Sequence, residues 1–197
     1  MPIKRFEEAL RRYMSDGTLA EELPEVHALS SDNRPGHKDN FEHTLEVCRN
    51  ADSYGSSATV RLAALLHDIG KPRTRRWDEE RGWTFHNHEM VGLRMIGDVC
   101  RRFNVPEKTE SRVKSLVSLA GQAKDITEKG VTDSAVRRFY RSMDYDEATL
   151  AETVLLANSD ITTGNRARKK ALHKGLDDLE DRAKRIRELD VEQQWRM

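Results

Sequence analysis

The run Ala58-Thr-Val-Arg-Leu-Ala-Ala-Leu-Leu-His67-Asp68-Ile69, closed by Gly70 and Pro72, constrains this chain more than any other segment. Its apolar character predicts a helix over 58–69 that belongs in the core, with Gly70 and Pro72 as the stop signal. The last turn of that helix carries His67 and Asp68, two polar side chains that are costly to hide without a partner. A neutral imidazole beside a hard carboxylate oxygen suits Mn, Fe, Co, Ni or Zn more than Ca, and Mg is also admissible. Because the two residues are neighbours, both reach one ion only from a helix end or with a favourable rotamer pair. Further ligands must then come from other helices.

The remaining pattern is helical. Phe6, Ala9, Leu10 and Tyr13 recur at helical spacing over 4–14, and a short helix follows Ser15-Asp-Gly-Thr18 to about residue 29. Residues 1–30 thus form a helical extension, and Ser30 to Lys38 reads as a loop. Asp39 or Asn40 caps a helix bearing Phe41, Leu45, Cys48 and Ala51. Arg75 to Phe85 has aromatics flanking a polar turn with a glycine, which predicts a small β-hairpin. Trp77 and Trp83 are expected to pair across it, with base stacking by one of them as the alternative. Helices are expected at about 88–103, 107–120, 132–143 and 147–160. Pro106 is expected in the first turn of one, and Thr132 or Asp133 as the cap of another. Arg166 to Leu189 aligns Leu172, Leu176, Leu179, Ala183 and Ile186 in one stripe, a helix laid on the body or against a partner. The fold class is therefore all-α, a helical array with one small hairpin, expected as a single domain over 1–197 with 166–190 as its C-terminal helix.

Composition narrows the function classes. Lys and Arg number 34, as do Asp and Glu, so the net charge is zero and bulk attraction to a polyanion is not favoured. Cys48 and Cys100 sit in apolar helical patterns and read as reduced core residues of a cytoplasmic protein. There is no membrane-length apolar run and no export pattern at the N-terminus.

Two further metal ligands stand out: His43, in Asn40-Phe-Glu-His43-Thr-Leu on the preceding helix, and Asp160, in Ala157-Asn-Ser-Asp160-Ile-Thr near the end of a late apolar helix. A His, His-Asp, Asp set leaves open positions for water and a phosphate oxygen. Lys71, just past the helix end, suits a phosphate as a point charge. His86 and His88 are two apart, so on a helix they point about 200° apart and only one faces the site. His88 is taken as that one and His86 as structural. His37 reads as a loop histidine and His173 as a surface one. One of Arg137 and Arg138 reaches an anionic substrate, and Arg137 is the candidate. Arg73, Arg75 and Arg76 form either a cationic rim beside Lys71 or an ordinary solvated hairpin edge.

His43, His67-Asp68 and Asp160, in that order on successive helices, resemble the HD superfamily of metal-dependent phosphohydrolases. The closer similarity is to the HD region of bacterial CCA-adding tRNA nucleotidyltransferases and poly(A) polymerase-like proteins. It is carried by Gly17-Thr-Leu-Ala-Glu-Glu-Leu-Pro-Glu25, Pro35-Gly-His-Lys-Asp-Asn-Phe-Glu-His43-Thr-Leu and Leu62-Ala-Ala-Leu-Leu-His67-Asp68-Ile-Gly-Lys-Pro. Phe85-His-Asn-His88-Glu-Met-Val-Gly92, Val131-Thr-Asp-Ser-Ala-Val-Arg-Arg138 and Asp160-Ile-Thr extend it over roughly 15–185. Two departures are informative. No Gly-Ser dipeptide is followed by paired carboxylates on a strand, so nucleotide addition is not expected. A histidine the family often carries after an apolar helix is replaced in Leu116-Val-Ser-Leu-Ala120-Gly. That loss argues for one ion, with His88 as an acid or phosphate donor.

The resemblance implies a divalent-metal-dependent phosphohydrolase acting on a phosphomonoester or phosphodiester of nucleotide type, including short oligonucleotides. His43, His67, Asp68 and Asp160 would hold the ion, Asp68 would orient water, and Lys71 and His88 would serve the phosphate. The alternative is a non-catalytic RNA-binding or scaffolding module. The exposed-looking run Arg166, Arg168, Lys169 and Lys170 favours it, and the acids that follow oppose it. A partner subunit docking through the Leu172–Ile186 stripe is the third reading.

Overall fold

The computed structural model describes residues 3–31, 39–80 and 82–194. The chain divides into two compact units, residues 1–118 and 119–197, the division falling within one helix of the sequence.

In the first unit, α1 (Ile3–Ser15), α2 (Thr18–Glu22), α3 (Pro24–His27) and a 3-10 turn (Ala28–Ser31) precede α4 (Asn40–Ser53). Of the expected 30–38 loop, Ser30 and Ser31 belong to that turn, and 32–38, with His37, lie outside the described residues. Asp39 caps α4, its side chain accepting from the Glu42 amide at 2.7 Å. Ser57 caps α5 (Ala58–Leu66) in the same way. The two helices pack along their apolar faces: Leu45, Cys48 and Ala51 on α4, and Val60, Ala63, Ala64 and Leu66 on α5, are all buried. Truncating one such leucine to alanine costs about 2–5 kcal/mol.

α5 is shorter than expected. It ends at Leu66, His67 is its C-cap, and 67–70 form a turn in which the Lys71 amide donates to the Asp68 carbonyl at 2.9 Å. Pro72 does not follow a helix stop; it opens the short α6 (Lys71–Thr74), where its fixed φ and missing N–H fit the first turn. The hairpin is β1 (Arg76–Asp78) and β2 (Gly82–Thr84), antiparallel with Trp77 opposite Trp83. The two indoles meet edge to face, centroids 5.2 Å apart at 74°.

α7 (His88–Arg102) then packs on α6. Its approach is set by Gly70. A Cβ there would fall 2.0 Å from the His88 carbonyl oxygen and 2.7 Å from the Gly92 nitrogen, so only a residue without Cβ lets the two backbones touch. The surface of this unit is tied by Arg102 to Glu25 at 2.7 Å and by Arg49 to Glu7 at 3.0 Å.

α8 (Glu107–Lys129) begins after Pro106, which precedes the helix instead of entering its first turn. It also runs nine residues past the expected end. Gly121 lowers helix propensity by only about 1 kcal/mol, and buried Ala123 continues the apolar face. The true stop is Gly130, in the left-handed region at φ +97.

The second unit holds the last turns of α8 with α9 (Asp133–Arg141), α10 (Glu147–Ser159) and α11 (Arg166–Gln194). Thr132, not Asp133, caps α9. α11 packs on α9 and α10, and Leu176, Leu179, Ala183 and Ile186 are buried. Of the two readings of the C-terminal stripe, the body of its own unit therefore covers it, which removes those side chains from a partner. Among the described residues, no helix is long and apolar enough to cross a membrane.

Candidate metal centre

The turn after α5 brings His67 and Asp68 to one point, its bonds tightening to the Ile69 amide on the Leu66 carbonyl and the Lys71 amide on the Asp68 carbonyl. His67 Nε2 lies 3.2 Å from Asp68 Oδ2. α4, packed on α5, supplies His43, whose Nε2 is 3.4 Å from Asp68 Oδ2 and 3.3 Å from His67 Nε2. All three side chains are largely buried, Asp68 most of all at 5% exposure.

The donor set fits a divalent ion on two counts. Two metal bonds of about 2.1 Å separate their ligand atoms by roughly 3.0 Å at a right angle and 3.4 Å at a tetrahedral one, which brackets the three distances found here. The tautomer also suits it. His67 Nδ1 is 2.8 Å from the Ala64 carbonyl, which can only accept, so Nδ1 carries the proton and a neutral ring turns its Nε2 lone pair to the site. Two imidazole nitrogens and a carboxylate oxygen converging on one point are a donor set that a divalent cation would satisfy.

Asp68 is also bound by Lys71, whose Nζ is 2.5 Å from Oδ2. Burial alone would push the Asp68 carboxyl up. With no ion bound, the charge of His67 when its ring is protonated, the charge of Lys71 and the hydrogen bonds from His43 and His67 outweigh it and hold the group well below the usual carboxylate range; a bound ion would take the place of those imidazole protons. The carboxylate is therefore ionised, as a ligand must be.

His88 stands on the other side of Asp68, Nε2 to Oδ1 3.9 Å, with its Nδ1 2.8 Å from the Phe85 carbonyl. His88 and Lys71 also line a cleft of about 600 Å³ walled by Trp83, Phe85, His86 and Met90. His86 is thus not set apart from His88. The 200° argument fails because α7 starts only at His88 and Asn87, left-handed at φ 63, turns the chain so that both histidines face the cleft.

The sequence candidates divide as follows. His43, His67, Asp68, Lys71 and His88 come together in the first unit. Asp160 and Arg137 lie in the second. Asp160 is the C-cap of α10, and its carboxylate accepts from Lys124. Arg137 donates to Asp190 on α11. Lys124 escaped sequence reading because a lysine in the middle of a long helix carries no motif. Trp83 and Phe85 were read as hairpin residues, with base stacking by Trp77 or Trp83 as the alternative, and nothing in their spacing marks a cleft wall. His173 is half-buried and bound to Asn158 at 2.6 Å, so it is not a plain surface histidine.

Fold and site together define an all-α protein with a histidine–aspartate cluster able to hold a metal ion. The HD domain family model matches residues 40–165, and the chain belongs to that family. HD domains bind divalent metal ions, and His43, His67 and Asp68 form a group able to hold one. The chain is similar to the multifunctional CCA protein of Pseudomonas paraeruginosa, 41% identical over 95 residues, which is 46% of this chain and 22% of that protein. The corresponding protein of Vibrio vulnificus is 38% identical over 97 residues, 47% of this chain and 23% of its own length. The A-adding tRNA nucleotidyltransferase of Deinococcus radiodurans is 31% identical over 128 residues, 62% of this chain and 28% of its own length. The matched region is about a quarter of these relatives.

Proposed function

We propose that this chain is a divalent-metal-dependent phosphohydrolase acting on a phosphomonoester or phosphodiester of nucleotide type. The observation that carries the reading is the convergence of His43, His67 and Asp68 within 3.4 Å of one another, beside a cleft lined by Lys71 and His88. Asp160 is proposed as the fourth ligand, on its place in the ordered family pattern. One Mn, Co, Ni, Fe, Zn or Mg ion would supply Lewis acidity toward a phosphoryl oxygen and acidify a water.

The chain's own groups would do the rest. Oδ2 of Asp68 faces the imidazoles and Lys71, which leaves Oδ1 on the His88 side to orient the attacking water. The Lys71 ammonium would leave Asp68 for a phosphate oxygen and offset charge as it builds. His88, held by the Phe85 carbonyl, would give a proton to the leaving oxygen. Arg137 is left out of this set, since its charge is committed to Asp190.

The test is a panel of nucleoside mono-, di- and triphosphates, cyclic nucleotides and short oligonucleotides, each with Mg, Mn, Co and Ni. Turnover that disappears in His67→Ala,Asp68→Ala supports the proposal; no turnover of any ester with any ion overturns it.

A second reading is an RNA-binding module. It is favoured by the tRNA nucleotidyltransferase names of the relatives and by Arg166, Arg168, Lys169 and Lys170, all exposed at the start of α11. Salt-dependent tRNA binding that survives His67→Ala,Asp68→Ala, without turnover, is its signature.

A further inference from the structure

The hairpin does more than connect α6 to α7. Trp83 remains 36% exposed and lines the cleft, although it is packed on two sides. The Arg75 guanidinium lies 3.8 Å from its ring centroid, and Trp77 meets it edge to face. These contacts fix the indole in one orientation, so its exposed part is a rigid aromatic wall instead of a mobile surface side chain. Phe85 and Met90 continue that wall, and Met90 is 56% exposed. Polar groups also line the cleft: His86, Asn87 and Glu89. The cleft joins the metal centre directly, because Lys71 and His88 belong to both. Lys71 Nζ also lies 5.9 Å from the Phe85 ring centroid, so a phosphate at the ammonium is next to the aromatic wall.

A cleft of this volume with one apolar aromatic wall, a few polar groups and a cationic end has the make-up of a small-molecule site. Its lining combines the two kinds of group a nucleotide needs: Lys71 and His88 for a phosphate, and the rings of Trp83 and Phe85 for a base. We infer that Trp83, with Phe85 and Met90, seats the base of the nucleotide whose phosphate meets Lys71 and His88. The inference rests on the phosphohydrolase reading of the same site and adds to it the residue that prefers a base-bearing ester over a base-free one. Every base has a π-face, so stacking on Trp83 discriminates weakly among bases and strongly against their absence. Glu89 and His86 would meet hydroxyl or amine groups of the nucleoside. The base can belong to a free nucleotide or to the end of a single strand, and both present the same ring and phosphate.

The experiment measures binding, so it does not depend on turnover. The chain has three tryptophans, and full-length protein carrying Trp77→Phe and Trp195→Phe keeps Trp83 as its single indole. Titration with AMP is expected to quench its fluorescence saturably, and AMP is expected to bind at least about tenfold tighter than ribose 5-phosphate, the worth of one stacked base. In otherwise native protein, calorimetry should find that preference lost in Trp83→Leu and largely restored in Trp83→Phe. A preference unchanged by Trp83→Leu, or equal binding of AMP and ribose 5-phosphate to native protein, overturns the inference. A short oligonucleotide with a 3′-phosphate that binds tighter than AMP, through Trp83, assigns the base to a strand end; equal binding assigns it to a free nucleotide. If AMP preference follows Trp83 but no ester is hydrolysed, the catalytic reading falls and the base seat stands. If esters are hydrolysed without any preference for a base, the base seat falls and the catalytic reading stands.

Discussion

Replacing Gly70 by alanine tests how the site is held together. Gly70 has φ −77, a conformation alanine adopts freely, so backbone strain is not the issue. The added methyl would sit 2.0 Å from the His88 carbonyl oxygen and 2.7 Å from the Gly92 nitrogen. Both atoms are backbone of the first turns of α7 and cannot rotate away. Restoring a contact of about 3 Å requires roughly 1 Å of displacement between the α5–α6 turn and α7, an overpacking that costs about 1–3 kcal/mol. Gly92→Ala is the internal control. Its Cβ would meet nothing nearer than 3.5 Å, and alanine in a helix interior gains about 0.5–1 kcal/mol over glycine. Urea denaturation should therefore separate the two variants by roughly 1.5–4 kcal/mol, with Gly70→Ala the weaker. His88 rides on the displaced turn, so Gly70→Ala should also lose activity beyond what its folded fraction explains. Equal stability of the two variants would refute the close-approach argument.

Lys71→Met removes the ammonium that competes with an incoming ion for Asp68 Oδ2, so metal affinity measured by calorimetry should rise while phosphoester turnover falls; a loss of both would contradict the assignment. Glu25 is pulled up by burial, but the hydrogen bond and charge of Arg102 outweigh this and lower its carboxyl. The unfolded state therefore binds more protons, and the stabilisation is present above the unfolded value of about 4.3 and lost as pH falls through the folded value. The stability gap between native protein and Glu25→Gln should accordingly shrink as urea curves are taken from pH 6 toward pH 3. Burial, with a smaller push from the Glu7 charge, raises the Cys48 thiol to about 12, so it should resist a thiol reagent at pH 8 until urea unfolds the chain. Rapid native labelling of Cys48 would show that the α4–α5 interface opens.

The sequence carried the site better than it carried the boundaries around it. His43 and His67-Asp68 were legible because polar, ligand-competent residues on two apolar helices must converge on something once those helices pack. The exit of the chain from α5 at Leu66 was not, since Ile69 is apolar and Gly70 and Pro72 looked like the stop itself. The expected end of the 107–120 helix fell short for a related reason: a glycine at 121 lowers local propensity only weakly, and buried Ala123 continues the apolar face. The aromatic cleft was invisible because it depends on the left-handed turn at Asn87, which sets His86 and His88 on one side, and on the 3.8 Å stacking of Arg75 over Trp83. Lys124 on Asp160 and Arg137 on Asp190 are contacts between residues 36 and 53 apart in sequence, beyond any local pattern.

The most direct measurement is anomalous diffraction from a crystal of the full chain grown or soaked with Mn. The account requires one anomalous peak about 2.0–2.3 Å from His43 Nε2, His67 Nε2 and an Asp68 carboxylate oxygen, absent in His67→Ala,Asp68→Ala. A crystal in which Mn avoids those three atoms, with Lys71 still holding Asp68, would contradict it.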